Sequence, residues 1–571
     1  MLTSFSMIRF GRCPRTWLVA ILLASVAGTP ASTNPPRFYD DDPIAREPEP
    51  RDASGAQPWD IGLLYDLSYN LFVVQRSKPS GTRAQNINTI DEVPDSSWFT
   101  NRIGTRDLTP EQIVSGPLTG NPPNPEQWTL IREKSSGVSP GFTAIGASGE
   151  TWFVAFDAKW PEGDSAAVVI ASKLFWALGY NQVDSYITTV DPRRVVFDPK
   201  ATARRPSGAR TPYTRDDLAE VLERAHPYSD GTYRVAAGRL LSGKILGGFR
   251  YAGTRPDDPN DIVPHEHRRE LRALRVFGAW LNLTDLKSGN TIDTLVTENG
   301  RGIVKHYLQD VGSTFGTANG PKEWDIGGEY FYEGQPSRRR LYSFGFLMSP
   351  WQTVPYTEYP TIGRFEGDRF DPREWRPQTP TPAYVEMRAD DAFWAARRVK
   401  AFTDEQIRAA VHAGQLSNPA AEQHLGDVII KRRDKIAAAY LPAVNPIVNP
   451  KLDEAGTLTF ENAAVAAQVA DRPTEYRASW FRFDNATGAT TPIGQSQSAE
   501  ASIKAPGALP SSANAFVQVD VAAESPQFPA WREPVHIVFQ RTAAGWKLVG
   551  LERLPEHVEV AGQSAGPKST R

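Results

Sequence analysis

Two short runs constrain this chain most: Asp285-Leu286-Lys287-Ser288-Gly289-Asn290 and Asp310-Val311-Gly312. Ahead of the first, Glu266 to Leu281 places Leu271, Leu274, Phe277, Trp280 and Leu281 on one helical face, with Arg268, Arg269, Glu270 and Arg272 largely off it. A long helix therefore delivers the chain into Thr284-Asp285. Beyond Asn290, the segment Thr291 to Val296, the turn Glu298-Asn299-Gly300 and the strand Gly302 to Gln309 read as a hairpin, with Asp310 at the end of the returning strand. Such a path returns Asp310 to the loop that carries Asp285 and Asn290.

Those residue types suit phosphoryl transfer. Nucleotide phosphates bring several negative charges, so Mg²⁺ must be held by one or two hard oxygen ligands while another group orients the attacking hydroxyl. Asp285 would take or orient the hydroxyl proton, Lys287 would steady the transferring phosphate, and Asn290 with Asp310 would hold the metal. Taken alone, an Asp and an Asn in a loop more often cap helices or shape turns; the helix before and the hairpin after raise the functional reading above that.

Around this centre the pattern is α+β. Trp128 to Lys134 and Thr151 to Asp157 read as strands flanking a turn over Ser135 to Phe142. Tyr186 to Val190 and Arg194 to Phe197 are further strands, Ser165 to Leu178 is a helix that stops at Gly179, and Asp216 to Ala225 is a short one. Helical patterns resume from Asp404 to Val411 and from Leu425 to Tyr440. Past Pro446 the segments Thr457 to Phe460, Tyr476 to Phe483, Ala515 to Val521, Val535 to Gln540 and Trp546 to Glu552 alternate apolar and polar residues, which predicts a β-sandwich.

The chain's 571 residues, 40% hydrophobic and 23% charged, suit two or more globular domains, and its 47 prolines and 44 glycines are dispersed rather than gathered in a low-complexity tract. Residues 1–31 read as a secretory signal: Arg9, Arg12 and Arg15 precede the apolar run Trp17 to Ala27, then small residues at Thr29-Pro30-Ala31. That run is short for a membrane span, so export to the periplasm or the extracellular space, with no transmembrane segment after cleavage, is the expectation. Cys13, the only cysteine, would leave with the signal, which removes disulfides and thiol chemistry from the mature chain. Without the signal's three arginines, 60 basic residues stand against 66 acidic ones, a balance that argues against a nucleic-acid partner; Arg338-Arg339-Arg340 and Lys431-Arg432-Arg433 read as solvated faces. Residues 32–57 are rich in proline and acids and read as an extended leader, with regular structure beginning near Trp59.

Asp285 to Asn290 matches the catalytic loop of protein kinases, and Asp310-Val311-Gly312 resembles their metal-binding D-F-G turn with Val for Phe. The surroundings, together with Asp91-Glu92-Val93-Pro94-Asp95-Ser96-Ser97-Trp98-Phe99 and Pro256-Asp257-Asp258-Pro259-Asn260-Asp261, resemble a group of exported bacterial proteins of unknown role distantly similar to HipA-type and CotH-type kinases, over about Arg37 to Pro446. The resemblance implies a two-lobed kinase-like domain over 121–446, with a small lobe about 121–255 and a large lobe about 256–446. A leader over 32–120 would pack on it, a β-sandwich over 447–560 would follow, and a disordered tail over 561–571 would end the chain. It implies Mg²⁺ or Mn²⁺ with ATP as cofactors and a protein or small molecule as acceptor; the alternative is a catalytically degenerate kinase-like binding protein with a β-sandwich docking module.

Departures from the kinase pattern are specific. Leu283-Thr284 replaces the His-Arg that precedes the catalytic Asp, Ala155 stands where the phosphate-binding lysine of the third strand is expected, and Val168 stands where its glutamate partner is expected. Lys159, four residues past Ala155, lies about 13 Å further along an extended strand. Lys134, before the turn, is the better substitute, with a solvated strand-end lysine as the plain alternative. Gly137 and Gly141 could bring backbone N–H groups to phosphates or simply form a hairpin turn; Pro140 between them removes one donor. His265-Glu266-His267 reads as the flank of a helix start rather than a metal triplet, and His306 as a packed strand residue.

Overall fold

The computed structural model describes residues 35–134, 137, 139–158, 160–205, 207–317 and 326–554. The expected signal and the expected tail lie outside these residues. Two helices come first, α1 (Leu63–Phe72) and α2 (Pro110–Ser115), followed by seven strands in one sheet. These are β1 (Thr129–Glu133), β2 (Gly141–Ile145), β3 (Thr151–Phe156), β4 (Ser185–Val190), β5 (Val196–Arg204), β6 (Arg210–Pro212) and β7 (Tyr233–Arg239), in the spatial order β4-β7-β3-β2-β1-β5-β6. All neighbours are antiparallel except β1 and β5, which pair in parallel across a crossover. Alternation along β3 sends Trp152, Val154 and Phe156 to one face, where they pack with Leu130, Phe142, Val190 and Val235 and with Leu218 of α4 (Arg215–Leu222).

Helix α3 (Gly163–Leu178) packs against β3, β4 and β7. It starts two residues before the expected Ser165, because the capping group is not a helix residue. Glu162 adopts a left-handed conformation, and the Asp157 carboxylate at the end of β3 accepts hydrogen bonds from Glu162 N (2.9 Å), Ser165 N (2.7 Å) and Ser165 Oγ (3.1 Å).

The expected hairpin forms from β9 (Thr291–Glu298) and β10 (Arg301–Leu308), and a strand missed in the sequence, β8 (Lys244–Gly247), pairs with β9 as a third member. Asn299 (φ 50°) and Gly300 (φ 77°) take the two left-handed positions that a two-residue hairpin turn needs. The expected helix over 266–281 is interrupted. His265–His267 form a 3₁₀ turn, Arg268 is extended, and α5 runs Arg269–Leu281. Its off-face charges are not solvated: Arg269, Glu270 and Arg272 are buried, because the segment around Asp91 and the start of α8 (Ala389–Lys400, after α6 at Gly334–Tyr342 and α7 at Pro382–Glu386) cover that side. Arg269 contacts Asp91 (2.9 Å), Asp390 (3.3 Å) and Asp391 (2.9 Å), and Arg272 contacts Asp391 (3.1 Å). Together with α9 (Asp404–His412) and α10 (Pro419–Tyr440), α7 and α8 complete the helical part around α5.

The C-terminal strands are β11 (Ile447–Leu452), β12 (Thr457–Asn462), β13 (Glu475–Phe483), β14 (Thr490–Ser498), β15 (Ser502–Lys504), β16 (Phe516–Glu524), β17 (Val535–Thr542) and β18 (Gly545–Glu552). They form antiparallel sheets of order β11-β12-β15 and β14-β13-β16-β17-β18. One apolar core joins them to the helices, running from Phe277, Trp280 and Ile429 through Ile447 to Trp480 and Val519. Arg553, just past β18, bonds the carbonyls of Asn445 and Ile447 and the carboxylate of Asp91 (3.1 Å), tying both ends of the chain to this junction.

Residues 35–57 form no helix, and they are held against the rest of the chain at several points. Phe38 is buried among Phe483, Phe516, Val538 and Val549 of the C-terminal sheet, and Ala53 and Ala56 are buried against Leu246 and Val304 of the hairpin sheet. Regular backbone pairing begins before Trp59: Glu47 N donates to Asp95 O and Ala53 N to Gly302 O. Proline and acidic composition hid this because the anchoring residues are single and widely spaced.

Candidate functional site

The loop after α5 is set by its cap. Asn282 takes a left-handed conformation (φ 59°), and its side chain accepts from Trp375 Nε1 at 2.9 Å. Thr284 N then donates to Ser313 O (3.1 Å), binding this loop to the residues just after Asp310. Asn290 is the bracket. Its side-chain amide donates to Asp285 O (2.8 Å), while its own carbonyl accepts from Gln309 N (2.9 Å) and Asp310 N (3.1 Å). Asp285, Asn290 and Asp310 are therefore brought together as the spacing predicts.

Within that cluster Lys287 Nζ donates to Asp285 Oδ2 at 2.6 Å, so the expected base and the expected phosphate-steadying lysine form an ion pair. Asp310 is exposed, and one of its carboxylate oxygens accepts from Gly312 N (3.1 Å), which shapes the turn. Among the described residues no group of three or more His, Cys, Asp or Glu could hold a metal ion. The exposed carboxylate of Asp310, on a backbone bonded to the Asn290 carbonyl, instead fits a cation that takes one or two protein oxygens and completes its shell with phosphate and water, as Mg²⁺ does. His265 and His306 are buried, bonded to Asp261 and Asp293 at 2.7 Å each, and His306 stacks on Trp98 with ring centroids 3.5 Å apart; both serve packing.

The phosphate side is built from the β1–β2 turn and the β3–α3 link. Lys134 Nζ donates to Ser139 O (3.0 Å) across the turn, and burial lowers its pKa while the carboxylates of Asp310 and Asp164 act to raise it. The amine is therefore tied back across the turn and partly buried rather than fully solvated. Gly137 occupies a left-handed position (φ 88°) in the same turn, with Lys134 Nζ 3.2 Å from where a Cβ would lie. Gly141 is buried at the start of β2, where a Cβ would fall 2.2 Å from Val154 O, so strand packing by itself accounts for that glycine. Lys159 lies outside the described residues.

The two departures fall where the resemblance places them. Ala155, near the end of β3, pairs with Gly141 at the start of β2, on the face opposite Trp152 and Val154. Val168 of α3 touches the Asp310 turn: its Cγ2 lies 2.9 Å from a Cβ built on Gly312. An apolar side chain thus stands against the turn that follows Asp310.

No protein-family model matches the chain, and no curated protein matches it. Among solved structures it is similar to the Golgi casein kinase with Mn/ADP bound, at 9% identity and a TM-score of 0.30, over 72% of this chain and 95% of that one. A second crystal structure of the Golgi casein kinase gives 10% identity and a TM-score of 0.27, over 71% and 95%. Overlap this weak assigns neither family nor activity.

Three site residues escape a reading by motif. Asp66, on the buried face of α1, accepts from Ser288 Oγ (2.8 Å), and burial raises its pKa despite that bond and the nearby Arg250. Leu63 of the same helix covers Gly289, so α1 clasps the loop from outside. Asp157 is pushed up to about 6 by burial, against the pull of Arg234 3.5 Å away. Asp164 accepts from Ala158 N (2.9 Å) and faces Lys134. None of these three acids belongs to a motif, and the partners that link them to the site, Ser288, Arg234 and Lys134, come from other elements of the chain.

Proposed function

We propose that the cleft between the β1–β2 turn, the β3–α3 link and the loops at 284–290 and 310–313 is a kinase-like nucleotide site that transfers a phosphoryl group to an acceptor hydroxyl, in a protein exported from the cytoplasm, with the C-terminal sheets as a β-sandwich docking module. The observation that carries this is the Asn290 bracket, which ties Asp310 to the loop of Asp285, with the Lys134 amine near enough for the Asp310 charge to act on it. A magnesium-bound nucleoside triphosphate would supply the phosphoryl group and an activated leaving group. Asp310 and Asn290 would hold the metal. Asp285 would accept the proton of the acceptor hydroxyl as its oxygen bonds to the γ-phosphorus and the bond to the β-phosphate oxygen breaks, releasing the nucleoside diphosphate. Lys287, already paired with Asp285, would offset charge on the transferring group.

The lysine–glutamate pair that grips nucleotide phosphates in protein kinases is missing at Ala155 and Val168. Asp164 lies four residues before Val168 on the same face of α3, and Lys134 senses its charge. The pair Lys134–Asp164 supports catalysis by substitution. The apolar contact of Val168 with the Asp310 turn favours the second reading, a cleft that retains a ligand without turning it over.

Thermal shift with ATP and Mg²⁺ or Mn²⁺, with transfer of labelled γ-phosphate followed in parallel on the parent chain and Asp310→Ala, separates the readings. Metal-dependent stabilisation with transfer, both lost in the variant, supports the enzyme; stabilisation without transfer supports the binding protein. No shift with either metal or nucleotide removes both.

A further inference from the structure

Beside the cleft the chain exposes a continuous apolar surface. On α1, Asp66 and Asn70 face inward while Leu64 (81% exposed), Tyr65 and Phe72 face out. The Phe72 ring meets Tyr332 at 6.0 Å, which joins α1 to the stretch around α6, where Leu341, Tyr342, Phe344, Phe346 and Met348 are all exposed, Phe344 at 91% and Phe346 at 87%. Isolated exposed apolar residues are ordinary, but a contiguous set of large ones marks an interaction site.

Shape and charge select the occupant. Grooves that bind peptides or small molecules are concave and cover part of each lining side chain. Rings exposed to the extent of Phe344 and Phe346 project from the surface instead. Arg338 and Arg339 lie beside them on α6, exposed and without an acidic partner among the described residues. The neighbouring acids are already engaged, Glu329 by Arg340 (2.7 Å) and Glu333 by Arg376. Arg76 and Lys78, exposed just past α1, add positive charge at the other end. Projecting aromatic and aliphatic side chains flanked by unpaired arginines match the interface of an anionic bilayer, where rings settle at headgroup depth and guanidinium groups meet lipid phosphates.

We infer that α1 and the α6 region form a docking surface for an anionic lipid membrane, which would hold the adjacent loop at 284–290 close to the bilayer. No helix among the described residues is long and apolar enough to cross a membrane, so attachment would be peripheral. The inference is independent of whether the cleft transfers phosphate.

Flotation of the purified chain with phosphatidylcholine vesicles, with and without 30% phosphatidylglycerol, tests it. Binding should require the anionic lipid and weaken with salt. Arg338→Gln with Arg339→Gln should reduce it about thirtyfold, given roughly a fivefold factor per arginine at an anionic surface. Phe344→Ser with Phe346→Ser should reduce it by more than about tenfold. All four positions are exposed, so the thermal unfolding of both variants should match the parent chain. Failure of the parent to bind anionic vesicles, or equal binding by both variants, overturns the inference. So does a parent that sediments as a dimer and becomes monomeric in the phenylalanine variant without any lipid binding, which would make this face a protein interface.

Discussion

Asp91 offers the sharpest test of what holds the parts of this chain together. Its carboxylate contacts Arg83 and Arg269 at 2.9 Å each and Arg553 at 3.1 Å, so one buried acid links the N-terminal segment, the central helix and the end of the C-terminal sheet. Burial opposes its charge, but Arg269, Arg83 and Arg553 outweigh burial and hold its pKa at about 2 against an ordinary 3.8. A group that binds its proton some 60-fold less tightly in the folded state contributes about 2 kcal/mol at neutral pH. The pKa is depressed on folding, so this contribution is complete above about pH 4 and is lost as pH falls toward 2. At pH 3 about half of it should remain.

Asp91→Asn keeps the shape and removes the charge. Urea unfolding followed by tryptophan fluorescence, on parent and variant at several pH values, should show a difference of about 2 kcal/mol at pH 6 that shrinks to roughly half by pH 3. Relief of Asp390, whose pKa is raised first by burial and then by Asp391 and Asp91, works in the other direction and makes the figure an upper value. Asp91→Ala, which also opens space and leaves three buried guanidinium groups short of a partner, should cost about 3–5 kcal/mol. A difference below about 0.5 kcal/mol at pH 6, or one that does not change down to pH 3, would refute the assignment of this carboxylate as an ionised keystone.

Gly312→Ala should cost about 1–3 kcal/mol in unfolding experiments, because its Cβ meets Val168 at 2.9 Å, and Val168→Ala in the same chain should recover most of that loss. Ser288→Ala removes the 2.8 Å bond to buried Asp66; hydrogen exchange should then quicken in both α1 and the loop at 284–290, while an unchanged α1 would mean the two are not coupled. Asp157 has a raised pKa, about 6, so it favours the folded state when protonated: its contribution improves as pH falls through 6 and is lost as pH rises through that value. The gain from pH 7 to pH 5 should be about 1 kcal/mol in thermal or urea unfolding, and Asp157→Asn should lack it.

Where a signal is local, the sequence carried it. Alternation in β3 and the C-terminal strands, the turn at Asn299-Gly300 and the spacing from Asp285 to Asn290 each depend on neighbours a few residues apart, and each matches the structure. The failures share a cause. Arg269 was placed off the apolar face of its helix because hydrophobic periodicity treats every charge as solvated, yet its partners stand at Asp91, Asp390 and Asp391, more than a hundred residues away. Within 35–57 the anchoring residues Phe38, Ala53 and Ala56 are too sparse to form a pattern, although each fills a specific site on a distant sheet. Strand β8 was missed because four residues ending in glycine give no periodicity; it exists because β9 has an open edge that Lys244–Gly247 can pair with.

The same distinction governs what the cleft can do. A reading by kinase motif looks for charge at Ala155 and Val168 and finds none, which alone would make the site inert. In space, the requirement is a cation that reaches the phosphates and an anion that keeps it aimed, whatever strand or turn supplies them. Lys134 comes from the end of β1 rather than from β3, and Asp164 comes from the first turn of α3, one turn before Val168. Burial lowers the pKa of the Lys134 amine, with Arg224 adding to that, and the carboxylates of Asp310 and Asp164 act against it. If Lys134 grips phosphate, Lys134→Met and Asp164→Asn should each abolish the nucleotide-dependent thermal shift. The double variant should then lose no more than either alone, because residues that act as a unit are not additive. Additive losses would place Asp164 in the capping of α3 alone and return Lys134 to the β1–β2 turn.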